Sequence, residues 1–284
     1  MADTIIKKDI LSPEVERFLD EGRSLLNWVN MRYSPSIKKA GDTATVQTFP
    51  DVTLASGTAG AAIADTDFTV GSTNVTADQV KQRRFTVTDF DESVSNLDLH
   101  SKLANRIAQA VQDDMEVYFG TLHTGAITAN ELDDGDLATA TNGGAGNAAI
   151  VSTANIYEVL AGLNKVLDDA KASGERAVFV NPAIKSILIQ AGLASGTDLG
   201  YKTGKEGDIV EIAGLKVFVS NNLPAGFIIA MDHEAVFGVG KYTKVDVRPG
   251  PDGFYDNVMV ESIYGGAIPT NGSSRIATFE ITNA

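Results

Sequence analysis

A strand-to-helix step followed by a returning strand, in the second half of the chain, most constrains the fold. Residues 177–180 are apolar and mostly β-branched or aromatic, a composition that suits a buried strand. Asn181 is a good helix N-cap, and Pro182 suits the first helical position because no backbone N–H is needed there. Residues 215–219 predict a returning strand, and the polar run 221–226 predicts a turn. The pattern indicates an α/β unit.

Composition and charge exclude several classes of protein. The chain has 284 residues, 43% of them hydrophobic, enough to bury roughly 75% of its unfolded surface. Acidic residues outnumber basic ones by 37 to 23, and the net charge of −14 argues against phosphate-backbone binding as the main function. Cysteine is absent, which excludes disulfides and thiolate metal sites. No apolar run is long enough for a signal peptide or a membrane span, so we expect neither.

An apolar stripe predicts one long helix in the first half of the chain. Ser95 and Asp98 form a capping pattern at its start, directly after the strand-forming residues 85–88. Polar residues, among them Arg106 and Glu116, fill the opposite side of this helix. The stripe recurs every three or four residues, at Leu99, Leu103, Ile107, Val111, Met115, Tyr118 and Leu122.

Residues 41–80 contain no Lys, Arg or Glu and are rich in Thr, Ala, Gly and Asp. Apolar and polar residues alternate at 43–49 and 82–88, which flank the segment, and predict that these two stretches pair as a ribbon. A two-stranded ribbon is marginal in water by itself, so it needs another surface to pack on. A disordered linker is the alternative, although Phe49 and Phe68 are unusual residues for a linker.

Further helices and strands are predicted around these segments. Residues 12–31 form an amphipathic stretch interrupted by Gly22, which indicates a broken helix that either packs in the core or lies on a neighbouring subunit. Apolar spacing at 153–172 predicts a second amphipathic helix, and residues 227–231 predict a further strand of the α/β unit. The rest of the chain is strand-rich, with predicted strands at 235–239, 244–247, 258–263 and 275–281.

Catalytic and metal-binding patterns are weak throughout the chain. Residues 200–206 are one residue short of a phosphate-binding loop, and Glu206 replaces the Ser or Thr that would bind magnesium. The acidic run 133–136 lacks the bidentate glutamate of a calcium loop, so we interpret it as a solvated loop, with a calcium site as the alternative. Three histidines are too few for a histidine-rich metal site. We predict no catalytic residue, no cofactor and no metal site.

The order of these elements resembles the major capsid proteins of tailed bacteriophages, which have the Hong Kong 97-like fold. The resemblance rests on the strand that leads into the long helix, the valine-asparagine-proline step and the closing strands, and it covers nearly the whole chain. It implies an α+β fold with four parts. These are an N-terminal arm (1–34), an extended β-ribbon loop with its base (35–81), a peripheral domain with a long spine helix (82–126 and 231–284) and an α/β axial domain (127–230).

The resemblance implies a structural protein rather than an enzyme. Copies of the chain would form hexamers and pentamers and close into the icosahedral head shell around the phage genome. The chain would then reside in the virion after assembly in the cytoplasm of a bacterial host. The expected partners are a separate scaffolding protein, a portal and decoration proteins, with packaged DNA contacted only non-specifically and no membrane. An encapsulin-type cellular compartment has the same fold and stays an alternative, as does an α/β enzyme.

Five residues are candidates for contacts between subunits. Trp28, Phe49 and Phe68 are aromatic residues in segments of mostly small residues, which makes them candidate apolar anchors. Arg83 and Arg84, at the return of the extended loop, are candidates for ion pairs with acids of a neighbouring copy. The loop itself holds no lysine, so we do not expect the lysine cross-link of the family's type member.

Overall fold

The computed structural model describes residues 24–49, 56, 70–88, 99–172, 174–192, 202–203, 209–250 and 255–282. Phe68, the cap residues Ser95 and Asp98, and the larger part of the predicted helix at 12–31 lie outside these residues. No helix in the described part of the chain is long and apolar enough to cross a membrane. The helices there are α1 (Ser24–Trp28), α2 (Leu99–Thr121), α3 (Ile156–Asp169) and α4 (Pro182–Gln190).

Strands in the described residues form three sheets, and their combination with the helices confirms the predicted α+β class. The strands are β1 (Thr43–Thr48), β2 (Gly71–Thr76), β3 (Gln79–Thr88), β4 (Glu131–Leu132), β5 (Arg176–Val180), β6 (Lys202–Thr203), β7 (Ile209–Ile212), β8 (Leu215–Val219), β9 (Phe227–Asp232), β10 (Phe237–Pro249), β11 (Tyr255–Ala267) and β12 (Ile276–Glu280).

The largest sheet has seven strands in the order β4-β12-β9-β5-β8-β7-β6. β5 is parallel to β8 and antiparallel to β9, and α4 lies in the connection between the two parallel strands. Asn181 accepts a hydrogen bond from the Ile184 N–H at 2.9 Å, and Pro182 is the first residue of α4. Leu160 of α3 and Leu188 of α4 are fully buried in the core beside this sheet. The predicted strand-to-helix step and returning strand are confirmed.

The last strand does not lie where the sequence pattern placed it. The prediction groups residues 275–281 with the strands beside the long helix, but β12 lies between β4 and β9 in the seven-stranded sheet. Ile276 pairs with Met231, and Phe279 is buried in the same core as the α3 residues. A mainly apolar run specifies a buried strand but not its partner, which is why this prediction is wrong.

The long helix α2 packs its apolar stripe against a three-stranded sheet in the order β10-β11-β3. Ile107 is 3% exposed and lies in one cluster with Val258 and Val260, so the predicted buried side of this helix is confirmed. β10 unites two predicted strands across an irregularity in its pairing, where Gly240 has a φ of 84° that favours glycine.

β1 and β2 form a separate antiparallel pair, which we call the ribbon. The predicted partner of β1 is wrong, because residues 82–88 belong to β3, which pairs with β11 along its whole length. β3 finds this partner from a distant part of the chain, and alternation alone does not choose between possible partners. The short link 77–78 therefore carries the chain from the ribbon into the three-stranded sheet.

Candidate subunit-contact surfaces

The inner face of the ribbon packs on the body of the subunit. Ala44, Val46 and Val75 are buried together with Val239 of β10 and Ile263 of β11. This burial supplies the additional surface that a two-stranded ribbon needs in water. The base of the ribbon is therefore an integral part of the subunit core.

The outer face of the ribbon is polar along most of its length. The hydroxyl oxygens of Thr43 and Thr76 are 3.0 Å apart, and the Thr45 hydroxyl donates a hydrogen bond to Asn74 Oδ1 at 3.0 Å. Such cross-strand pairs stabilise the ribbon without burying apolar surface. This part of the outer face offers no apolar contact to another molecule.

The ribbon ends in two exposed apolar side chains. Thr48 pairs with Gly71, and continuing this register places Phe49 opposite Val70. Phe49 is 61% exposed and Val70 is 42% exposed. The Phe49 carbonyl accepts a hydrogen bond from the Asn271 side chain at 3.0 Å, which holds the backbone while most of the ring stays in solvent. We call Phe49 and Val70 the distal pair. Val70 was not among the contact residues predicted from the sequence, although the β-branched residues that follow it were a strand signal.

The three-stranded sheet is apolar where it faces α2 and charged on its other face. Arg248 forms an ion pair with Asp246 at 2.8 Å, and Gln82 donates a hydrogen bond to Glu261 at 2.8 Å. The ion pair compensates two opposite charges of this face, and the hydrogen bond from the neutral Gln82 leaves the charge of Glu261 in place. The charged residues of that face that line a groove are Arg84, Lys244, Asp246, Arg248 and Glu261, and Arg83, which pairs with Val260 on the α2 face, reaches the groove from the edge strand β3.

The two candidate arginines line this groove together. Arg83 lies on the edge strand β3 and also lines a second, mainly apolar groove beside Ile107 and Ala110 of α2. Arg83 and Arg84 are both exposed, and neither has an ion-pair partner among the described residues. With respect to the described residues, both guanidinium groups can therefore form ion pairs with acids of another molecule.

A hydrogen-bonded network joins α2 to the sheet near these arginines. The Lys81 ammonium lies 3.2 Å from the Asp114 carboxylate, and the Tyr264 hydroxyl donates to the same carboxylate. Burial and the neighbouring Asp114 raise the pKa of Tyr264 well above its usual range, so its hydroxyl stays a donor. The network ties β3 and β11 to the helix.

The sequence pattern predicted that Glu116 lies on an exposed polar side of α2, but the structure buries it. It is 5% exposed and accepts hydrogen bonds from the Ser220 hydroxyl at 2.8 Å and the Asn222 side chain at 3.1 Å. Asn222 also donates to Asp113 at 2.9 Å. The polar side of α2 thus contacts the turn after β8, and it connects the two larger sheets.

Trp28 has its partners within its own subunit. It is 6% exposed, and its ring centroid lies 5.7 Å from that of Phe218 and 5.6 Å from that of His233. The Lys216 ammonium lies 5.6 Å from the centroid of the same ring. These contacts leave little of its surface for a neighbouring subunit.

The acidic loop at 133–136 is built around a buried carboxylate rather than a solvated one. Asp134 is 0% exposed and accepts hydrogen bonds from the backbone N–H groups of Thr141, Asn142 and Gly144 at 2.6 to 2.9 Å. Burial opposes its ionisation, but these bonds and one from the Thr141 hydroxyl hold the pKa of Asp134 well below its usual range. The interpretation as a solvated loop holds for Gly135 and Asp136, which are exposed, and is wrong for Asp134.

The calcium alternative gains no support from this geometry. Asp133 Oδ1 and Oδ2 accept hydrogen bonds from the N–H groups of Gly135 and Gly146, and Asp136 accepts one from the N–H of Asp133. These oxygens face backbone donors of the loop itself. In the residues that the structure describes, no group of His, Asp and Glu is arranged to hold a metal ion.

Comparison with known proteins gives a clear result for the fold. No family model matches the chain, and no curated protein matches it in sequence. A structure from Mycobacterium phage Che8 is 19% identical with a TM-score of 0.68, and the match covers 91% of each chain. The capsid structure of the Cyanophage P-SCSP1u is 14% identical with a TM-score of 0.65, over 90% of this chain and 86% of that one. A virus-like particle from Pyrococcus furiosus is 16% identical with a TM-score of 0.57, over 95% and 98% of the two chains.

These matches define the class of fold. The chain shares its overall fold with structures from phages, one of them a capsid, over about nine tenths of its length. It is the Hong Kong 97-like fold, and this part of the sequence-based prediction is confirmed.

Proposed function

We propose that this chain is the major capsid protein of a tailed bacteriophage and that its copies assemble into the icosahedral head shell around the phage genome. The observation that carries the proposal is the likeness to phage structures, one of them a capsid, over about nine tenths of the chain. A fold shared over this length leaves little of the chain for a separate activity. The chain is then a structural protein and not an enzyme.

The ribbon is the first contact surface of this proposal. Its inner face packs in the core of its own subunit, while the distal pair stays exposed at the far end. A closed shell needs a patch on one subunit that fits a different patch on the next. The distal pair provides such a patch, because an exposed aromatic ring loses contact with water when it meets a neighbour. Phe68 is a further candidate anchor, and Trp28 is not retained because its own subunit buries it.

The charged groove is the second contact surface. Arg83 and Arg84 are cations on the surface of a chain whose net charge is −14, so any neighbouring copy presents mainly carboxylates. Ion pairs across the interface would add little to affinity but would fix how two subunits are oriented. Many weak contacts of these two kinds, repeated over a shell, add up to a stable particle.

The same proposal assigns a role to each part of the subunit. Residues 1–34 act as an arm, and residues 35–81 act as the extended loop with its base. The peripheral domain around the spine helix α2 consists of residues 82–126 and 231–275. The axial domain consists of residues 127–230 together with β12, which we add because it lies in the seven-stranded sheet. Hexamers and pentamers form in the cytoplasm of the bacterial host. A separate scaffolding protein, a portal and decoration proteins complete the virion, and DNA is contacted without sequence preference.

An encapsulin-type compartment is the second candidate function. The likeness to a virus-like particle from Pyrococcus furiosus supports it, because that particle comes from a cellular organism, but its TM-score is 0.57 against 0.68 for the structure from phage Che8. The two functions differ in what the shell needs and encloses. Efficient closure of empty shells by the chain alone would favour the compartment, whereas dependence on a scaffolding protein encoded beside it would favour the phage head.

Electron microscopy and sedimentation of the full chain test the proposal. We expect closed particles with pentamers and hexamers when the chain is co-expressed with its scaffolding protein. A chain that sediments only as a monomer under these conditions would refute the shell-forming function.

A further inference from the structure

The link between the ribbon and β3 crosses β11 at Gly265. Gln79 pairs with Tyr264, so the residues just before Gln79 pass over the next position of β11. A Cβ atom on Gly265 would lie 1.9 Å from the Thr76 carbonyl oxygen and 3.0 Å from Ala77 Cα. Both are backbone atoms, so no side-chain rotation could make room. The ribbon therefore rests with its backbone directly on the α-carbon of Gly265.

The neighbouring glycine faces the opposite side of β11. A Cβ atom on Gly266 would lie 2.8 Å from Phe119 Cε1 and 3.0 Å from Leu122 Cδ1, which are outer atoms of side chains on the α2 side. The Gly266 N–H also donates a hydrogen bond to the Tyr118 hydroxyl at 3.2 Å. β11 is thus fastened to α2 on one side and carries the ribbon on the other.

Hydrogen bonds hold the ribbon down on this contact. The Gly41 N–H donates to the Ala77 carbonyl at 2.8 Å, and the Ala77 N–H donates to the Asp42 carbonyl at 3.0 Å. The Asp42 carboxylate in turn accepts the N–H groups of Lys38 and Lys39 at 2.9 and 3.0 Å, which closes the turn before β1. The base of the ribbon is fixed at one place, between this turn and Gly265.

We propose that Gly265 is a positioning residue that sets the direction in which the ribbon leaves the subunit. If the chain forms shells as proposed above, this direction also sets the angle between neighbouring subunits and therefore the curvature of the shell. Any Cβ atom at this position must push the Thr76 backbone away by about 1 Å before the contact becomes tolerable. The ribbon is about 20 Å long at about 3.4 Å per residue, so a tilt at its base that also shifts Val46 in the core and breaks the Asn271–Phe49 hydrogen bond moves the distal pair by several ångströms.

Spin labels measure the direction of the ribbon directly, because the chain has no cysteine to remove first. Gln47→Cys on the outer face of the ribbon and Gln109→Cys on α2 introduce labels at two exposed positions. Diluting the labelled chain with unlabelled chain leaves only distances within one subunit. We expect Gly265→Ala to shift the mean distance between the labels by several ångströms. Gly266→Ala, the same change one residue further on, should leave the mean within the width of the parental distribution.

An unchanged distance in Gly265→Ala would overturn the proposal. If that variant does not fold, Asp42→Ala replaces it as the test, because it loosens the turn that holds Ala77. It should broaden the distance distribution, and a parental width would overturn the proposal equally.

Shell diameter separates this inference from the proposed function. In assembled particles, Gly265→Ala should change the diameter relative to the parental shell, and Gly266→Ala should not. A shifted label distance with shells of parental diameter would overturn the link to curvature. A shifted distance in a chain whose parental form never makes shells would refute the proposed function while supporting Gly265 as the residue that directs the ribbon.

Discussion

Truncating Phe49 should weaken assembly without weakening the subunit. Phe49 is 61% exposed, and an aromatic side chain offers about 200 Å² in all, so roughly 120 Å² is in contact with solvent and can be buried on a neighbour. At about 25 cal/mol per Å², and allowing for the area that alanine keeps, Phe49→Ala removes about 2 kcal/mol from each contact. That loss corresponds to about a 30-fold weaker contact.

The critical concentration for assembly measures this loss. Light scattering across a dilution series should show that Phe49→Ala subunits need a concentration at least tenfold higher than the parent, a lower bound because contacts are shared over the shell. The free energy of unfolding of the unassembled subunit should change by less than about 1 kcal/mol, because most of the ring is already in solvent. Gln47→Ala is the matched control, since Gln47 is exposed on the same face of the ribbon but polar. Assembly of Phe49→Ala at the parental concentration would refute the role of the distal pair, and a large loss of subunit stability would show that Phe49 acts in folding.

Four further outcomes follow from the structure. Ile107→Asp should lose about 2–5 kcal/mol of unfolding free energy in chemical denaturation because it buries a carboxylate against apolar residues, whereas the exposed Arg106→Ala should lose less than about 0.5 kcal/mol; equal losses would contradict the orientation of α2. Asp134→Asn should lower the melting temperature at pH 7, and the difference from the parent should shrink only as the pH is taken well below about 4. The folded pKa of Asp134 is lowered, so its contribution is complete above the ordinary aspartate pKa of about 4 and is lost as pH falls towards the folded value; a pH-independent difference would contradict this. Arg84→Ala should reduce the salt dependence of the critical concentration, because exposed ion pairs are screened beyond about 8 Å at physiological ionic strength; an identical slope would exclude Arg84 from the interface. Particles boiled in detergent should run as one band near 29.9 kDa, and a ladder of linked pentamers and hexamers would show covalent bonds that the chain's residues do not predict.

Local patterns were sufficient for the parts of the fold whose interactions are close in sequence. Asn181 and Pro182 specify the start of α4 because a cap and its first turn involve only neighbouring residues. The stripe through Ile107 specifies the buried side of α2, because a helix repeats every 3.6 residues whatever it packs against. The order of these elements was then enough to indicate the class of fold.

Partners that are distant in sequence could not be derived in this way. Residues 82–88 alternate as a ribbon strand would, yet β3 pairs with β11 from the far end of the chain, and β12 joins the α/β sheet. Alternation in β3 indicates which face of the strand is buried, and the mainly apolar run of β12 indicates burial on both faces. Neither pattern identifies the partner strand, which depends on the tertiary packing.

The burial of two carboxylates could not be predicted for the same reason, because their partners are not given by a local sequence pattern. Glu and Asp are residue types that usually lie at the surface, and the sequence pattern predicted that both Glu116 and Asp134 are in solvent. Each is buried because donors from elsewhere converge on it: Ser220 and Asn222 on the first, and the backbone of residues 141–144 on the second. A carboxylate leaves water when several donors replace its hydration, and those donors are brought together by tertiary structure rather than by any local pattern. The contact of Thr76 on Gly265 is of this kind too, since a glycine beneath a crossing backbone looks in sequence like any other glycine of a strand.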